Sequence, residues 1–172
     1  MRILGVDPGL ANTGWGIIDS INNKSRPVSF GVINTEKDLK QELRIYNIAE
    51  ELGKICLKYN VEICSIEDIY FTKNTSSAIS VAKVIGSSIH KLSQLNLDVK
   101  LYSPLQIKSI ITGYGTADKK QVQEMVKLHL GLVKRPRPDH AADALAAALC
   151  LATYESSMNR IKLWLMQFMV KL

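Results

Sequence analysis

Apolar positions fall first into short runs and later into longer stretches at helical spacing. Residues 2–6 and 14–19 (Ile3-Leu4-Gly5-Val6 and Trp15-Gly16-Ile17-Ile18) read as two strands joined by a tight turn. Val28-Ser29-Phe30-Gly31-Val32-Ile33 reads as a third strand, after the polar turn Asn22-Asn23-Lys24-Ser25. Connections this short favour an antiparallel meander. From Leu39 to Tyr59 the period changes, and Leu43, Ile48, Leu52, Ile55 and Cys56 can share one broad helical face. Val61-Glu62-Ile63-Cys64-Ser65-Ile66 is apolar enough for a central strand, and Ser76–Leu95 is a second helix. In that helix Ala78, Ala82, Ile85, Ile89 and Leu92 line one stripe, beside Val81, Val84 and Ser88, and Gly86-Ser87-Ser88 keep the middle small enough for another helix to approach. Asp98–Tyr102 reads as a strand, and Ser103-Pro104 opens a short helix to about Ile111. A further helix spans Ala117–Leu130, with Asp118 in its first turn. Asp139–Leu149 is an alanine-rich helix. Alanine has the best helix propensity and lets a helix lie close against a sheet. From Ile161 on, Ile161, Trp164, Leu165, Phe168, Met169 and Leu172 recur at helical spacing. That tail can dock on the domain, bury in a dimer or extend from it, so residues 1–154 are expected to form the domain and 155–172 an apolar extension of unassigned role.

Composition narrows the class. The chain has 172 residues, 47% of them hydrophobic, which suits one compact domain with a good core. Its 22 basic and 16 acidic residues leave a net charge of +6. A small basic domain fits a polyanion partner, nucleic acid first, though many proteins carry such charge without one. Cys56, Cys64 and Cys150 are scattered, with no Cys-x-x-Cys pair, so neither a disulfide framework nor a zinc site is implied. The expectation is a reduced, cytoplasmic compartment, with no signal peptide and no membrane partner.

The candidate chemistry lies at element ends. Asp7 closes the first strand before Pro8-Gly9, where it can cap its own turn or face a groove. Gly9, Gly14 and Gly16 permit positive φ or close approach of another backbone. Glu67 follows the Val61–Ile66 strand in the same way. Tyr70 and Phe71 can plug into the core or stack on bases, with Lys73 on a phosphate. Lys108, Lys119 and Lys120 flank the loop Thr112-Gly113-Tyr114-Gly115-Thr116 and form either a solvated surface or a binding face. His140 and Asp143, at i and i+3, share a helix face. Asp139 suits a helix cap or the helix dipole better than a metal ion. Carboxylates from distant positions, each at an element end, form a pattern that binds divalent metal. Mg²⁺ prefers oxygen ligands. Two such ions roughly 3.5–4 Å apart can hold the attacking water and leaving oxygen of a phosphodiester.

Four motifs in order carry a resemblance: Gly5-Val6-Asp7-Pro8-Gly9 with Thr13-Gly14-Trp15-Gly16; Ile66-Glu67-Asp68 followed by Lys73-Asn74; Gly113 through Lys119; and His140-Ala141-Ala142-Asp143-Ala144-Leu145-Ala146. Over about residues 1–154 the chain resembles the bacterial RuvC crossover-junction endonucleases. The resemblance implies an α/β, ribonuclease H-like fold. Its mixed five-stranded sheet, three antiparallel strands then two parallel, would be flanked by helices. It implies a homodimer that resolves Holliday junctions, cutting four-way junction DNA with two Mg²⁺ per subunit and leaving 5′-phosphate ends, in partnership with the RuvA–RuvB branch-migration complex. Carried over residue by residue, the catalytic and metal-binding set is Asp7, Glu67, His140 and Asp143, with Tyr70, Phe71, Lys73, Lys108, Lys119 and Lys120 on DNA. The family's pattern often has Asp where His140 stands. A nitrogen ligand suits Mn²⁺ better than Mg²⁺, so Mn²⁺ is expected to substitute. The alternatives are an RNA-directed nuclease of the same fold and a non-cleaving junction-binding module.

Overall fold

The structure, a computed structural model, describes residues 1–69 and 75–169, without the side chains of 75–76, 159–160 and 162–169. Its elements run β1 (Arg2–Asp7), β2 (Asn12–Ile21), β3 (Lys24–Asn34), α1 (Gln41–Tyr59), β4 (Ile63–Glu67), α2 (Thr75–Gln94), β5 (Asp98–Tyr102), α3 (Pro104–Thr112), α4 (Lys119–His129) and α5 (Asp139–Met169). One five-stranded sheet has the order β3-β2-β1-β4-β5. β1 and β3 pair antiparallel with β2; β4 pairs parallel with both β1 and β5. The expected meander and two parallel strands are therefore present. The turn between β2 and β3 is tighter than the sequence suggests. Ile21 pairs with Lys24, and Asn22 and Asn23 take φ of 51° and 64°, the left-handed pair that a two-residue hairpin turn requires.

The strand period sorts side chains to two cores. Leu4, Val6, Ile17, Cys64 and Ile66 point to one face, against Ile48 and Leu52 of α1 and Val84 and Leu92 of α2. Ile3 and Ile18 point to the other, against Ile107 of α3, Val126 of α4 and the run Leu145–Ala152 of α5. Not every expected apolar position is buried. Leu43 is exposed, because five residues at about 100° each place it about 140° around α1 from Ile48. On α2, Ala82 and Gly86 are exposed, and a Cβ on Gly86 would meet nothing within 4 Å, so none of the described elements packs there.

The strand glycines decide how α5 sits. A Cβ on Gly5 would lie 1.9 Å from the Ala144 carbonyl oxygen, and one on Gly14 1.9 Å from that of His140. Gly9, Gly14 and Gly16 are absent from the positive-φ glycines, which are Gly113 and Gly131. What β1 and β2 use is therefore missing bulk rather than backbone freedom, and the alanine helix presses its backbone into that trough. α5 continues through the expected boundary at 154–155 without a break, to Met169.

Candidate active site

Parallel pairing sets two acids side by side. Val6 is opposite Ile66, so Asp7 and Glu67 follow at the ends of adjacent strands, both on the α5 side of the sheet. The contact at Gly14 brings the first turn of α5 over the same edge and delivers His140 and Asp143. The His140 Nδ1–H donates to Asp7 Oδ2 at 2.7 Å, since an ionised carboxylate only accepts. One ligand atom each from Asp7, His140 and Asp143 lie within 4.8 Å of one another. Glu67 is outside this triad but lines the same cavity of about 250 Å³ with Asp7, Asp143, Lys108 and Lys119. Two carboxylates and an imidazole nitrogen at this spacing fit a divalent cation, with Glu67 placed to complete the oxygen set.

Crowding shows in the acidities. Burial, reinforced by the charges of Asp7 and Asp143, pushes the Glu67 carboxyl up to about 8, while Lys108 and Lys119 pull the other way. Burial also raises Asp7, against the opposing hydrogen bond from His140.

The lysines divide. Asp118 caps α4 in a capping box with Gln121, its Oδ1 accepting from the Gln121 N–H at 2.9 Å, which fixes Lys119 as the first helical residue. Lys119 Nζ then lies 2.9 Å from Asp143 Oδ2 and 3.5 Å from Asp139 Oδ2. Lys108 lines the cavity; Lys120 is exposed and does not. Asp139 is absent from the metal-capable triad. Its Oδ1 accepts from Gln123 Nε2 at 3.1 Å, and that bond holds its carboxyl below the usual range. Tyr70, Phe71 and Lys73 lie outside the described residues.

No local pattern signals the bracing behind Asp7. Thr13 Oγ1 donates to the Gly9 carbonyl at 2.7 Å, and Thr35 Oγ1 to the Leu10 carbonyl at 2.5 Å. Arg44 on α1 donates from Nε to Thr35 Oγ1 at 2.9 Å and from Nη2 to the Leu10 carbonyl at 3.3 Å. Together they hold the turn that follows Asp7 from both sides.

The family model for crossover junction endodeoxyribonuclease RuvC matches residues 3–151. The chain belongs to the RuvC family. It is 44% identical over 159 residues to the crossover junction endodeoxyribonuclease RuvC of Caldicellulosiruptor saccharolyticus, covering 92% of this chain and 96% of that one. It is 47% identical over 161 residues to the Fusobacterium nucleatum RuvC, covering 94% and 84%. The structure of Thermus thermophilus RuvC in complex with a Holliday junction substrate superimposes with a TM-score of 0.85 at 30% identity, covering 90% of this chain and 94% of that one. The mixed sheet and its flanking helices are thus the ribonuclease H-like fold of RuvC, and the enzyme class is that of a crossover junction endodeoxyribonuclease. No helix among the described residues is long and apolar enough to cross a membrane.

Proposed function

We propose that this RuvC chain acts as a homodimer on four-way junction DNA, nicking two strands symmetrically and leaving 5′-phosphate ends, in partnership with a RuvA–RuvB branch-migration complex in the cytoplasm. The observation that carries the reading is the convergence of Asp7, His140 and Asp143 within 4.8 Å, beside Glu67 in a cavity edged by lysines. Asp7, Glu67, His140 and Asp143 would hold two Mg²⁺ per subunit, with Mn²⁺ able to substitute. Such ions supply a polarised attacking water and charge relief at the leaving oxygen.

The chain's own groups do the rest. Asp7, rigid at its strand end, presents one oxygen inward while His140 holds the other. With its Nδ1 proton engaged, His140 keeps a lone pair on Nε2 for a ligand bond or a water proton. Burial, reinforced by the charges of Asp7 and Asp143, keeps a proton on Glu67 near neutrality, and that proton leaves more readily once those charges are offset. Lys108 and Lys119 meet the phosphate backbone, whose neutralisation contributes much of the binding. Tyr70 and Phe71 stack on bases beside the cut with Lys73 on a phosphate, and the exposed Lys120 adds a further phosphate contact.

The Asp7→Asn variant tests the reading. It should bind a synthetic junction as the wild type does in a gel shift and lose cleavage by at least about a hundredfold. Cleavage at the wild-type rate would remove Asp7 from the catalytic set.

A further inference from the structure

We infer that Lys119 is a built-in competitor of the divalent cation, pairing with Asp143 so that the site takes up metal tightly only when a substrate phosphate draws the lysine away. The inference rests on the junction-cutting reading and adds an order of events to it. Lys119 Nζ lies 2.9 Å from Asp143 Oδ2, and Asp143 is one of the three residues whose ligand atoms lie within 4.8 Å of one another. An ammonium on that carboxylate takes lone pairs a metal would use and repels the incoming dication. The lysine's place gains nothing for the helix. It is the first residue of α4, where the helix dipole disfavours a cation, and the Asp118–Gln121 box fixes it there. Its side chain is 50% exposed, so it can reach outward to a phosphate. Lys108 lines the same cavity but forms no ion pair among the described residues, which makes it the control for nearby charge.

Phosphate and metal then cooperate, because a phosphate on Lys119 frees Asp143 for the metal and a metal on Asp143 frees Lys119 for the phosphate. Two titrations test this on the full chain, using Lys119→Met and Lys108→Met, with folding checked by circular dichroism. In the first, Mn²⁺ is titrated into DNA-free protein and followed by electron paramagnetic resonance. Lys119→Met should bind Mn²⁺ roughly five- to tenfold more tightly than wild type, and Lys108→Met no more than about twofold. Equal gains in both variants would reduce Lys119 to a general positive field, and no gain would remove the competition; either result overturns the inference. In the second, junction affinity is measured with and without Ca²⁺, the DNA being verified as uncut on a denaturing gel. Ca²⁺ should tighten wild-type and Lys108→Met binding by a larger factor than Lys119→Met binding, and an equal factor in all three would overturn the release step. A wild-type protein that never cuts a junction would defeat the function proposed above, while the Mn²⁺ titration would still decide the competition.

Discussion

At the scale of single residues, the proposed metal preference turns on His140. Its nitrogen faces the same small volume as the oxygens of Asp7 and Asp143. An all-oxygen set favours Mg²⁺, and a nitrogen shifts preference toward Mn²⁺. His140→Asp should therefore raise the ratio of Mg²⁺- to Mn²⁺-supported cleavage by about tenfold, read from initial rates in each metal; an unchanged ratio would place His140 off the metal. Glu67 gives a prediction in pH. Its carboxyl titrates at about 8 in the folded chain, above its ordinary value of 4.5, so the folded state holds a proton that the unfolded state has lost. That contribution to stability is complete below about pH 4.5 and fades as pH climbs to about 8. Glu67→Gln, which mimics the neutral acid, should raise Tm at pH 8 by about 3–6 °C in metal-free buffer, with the gap closing toward pH 4.5. A gap that does not vary with pH would mean that Glu67 ionises normally. Asp7, Glu67 and Asp143 were legible in sequence because each terminates or begins an element, and the placement of both strand acids follows from strand pairing. The Lys119–Asp143 pair was not, because it joins two helices whose packing no local pattern specifies.

At the scale of elements, the site depends on how closely α5 lies on the sheet. Added bulk at Gly14 meets backbone of His140 rather than a flexible side-chain tip, so something must shift. Gly14→Ala should cost about 1–3 kcal/mol in denaturant unfolding and lower cleavage more than tenfold by lifting His140 from Asp7. If the variant unfolds like wild type and cuts at the same rate, the trough does not position the catalytic residues. The alanine helix and the small strand residues were each visible in the sequence. Their fit to one another was not, since the same glycines are equally compatible with the turns expected there. Leu43 failed as a core position for a related reason: an apolar residue in a helical window joins the buried face only if its angle matches, and its angle lies far from that of Ile48. The continuation of α5 to Met169 was legible only as a second helical stretch, because periodicity does not reveal whether two helical runs are one rod.

At the scale of the whole molecule, the sheet brings chemistry from the two ends of the chain to one edge. Asp7 and Asp143 are more than a hundred residues apart in sequence, yet they share a cavity with Glu67 and two lysines. The order of elements was readable from alternating strand and helix patterns. The sheet order, with β1 between β2 and β4, needed three-dimensional pairing to define it. This arrangement is proposed to cut four-way junctions. The measurement that bears on it most directly is cleavage of an end-labelled synthetic four-way DNA junction beside a linear duplex of the same sequence, in Mg²⁺ and then in Mn²⁺. Paired, symmetric nicks with 5′-phosphate ends are expected in the junction and none in the duplex. Equal cutting of both substrates, or tight junction binding with no nick in either metal, would contradict it.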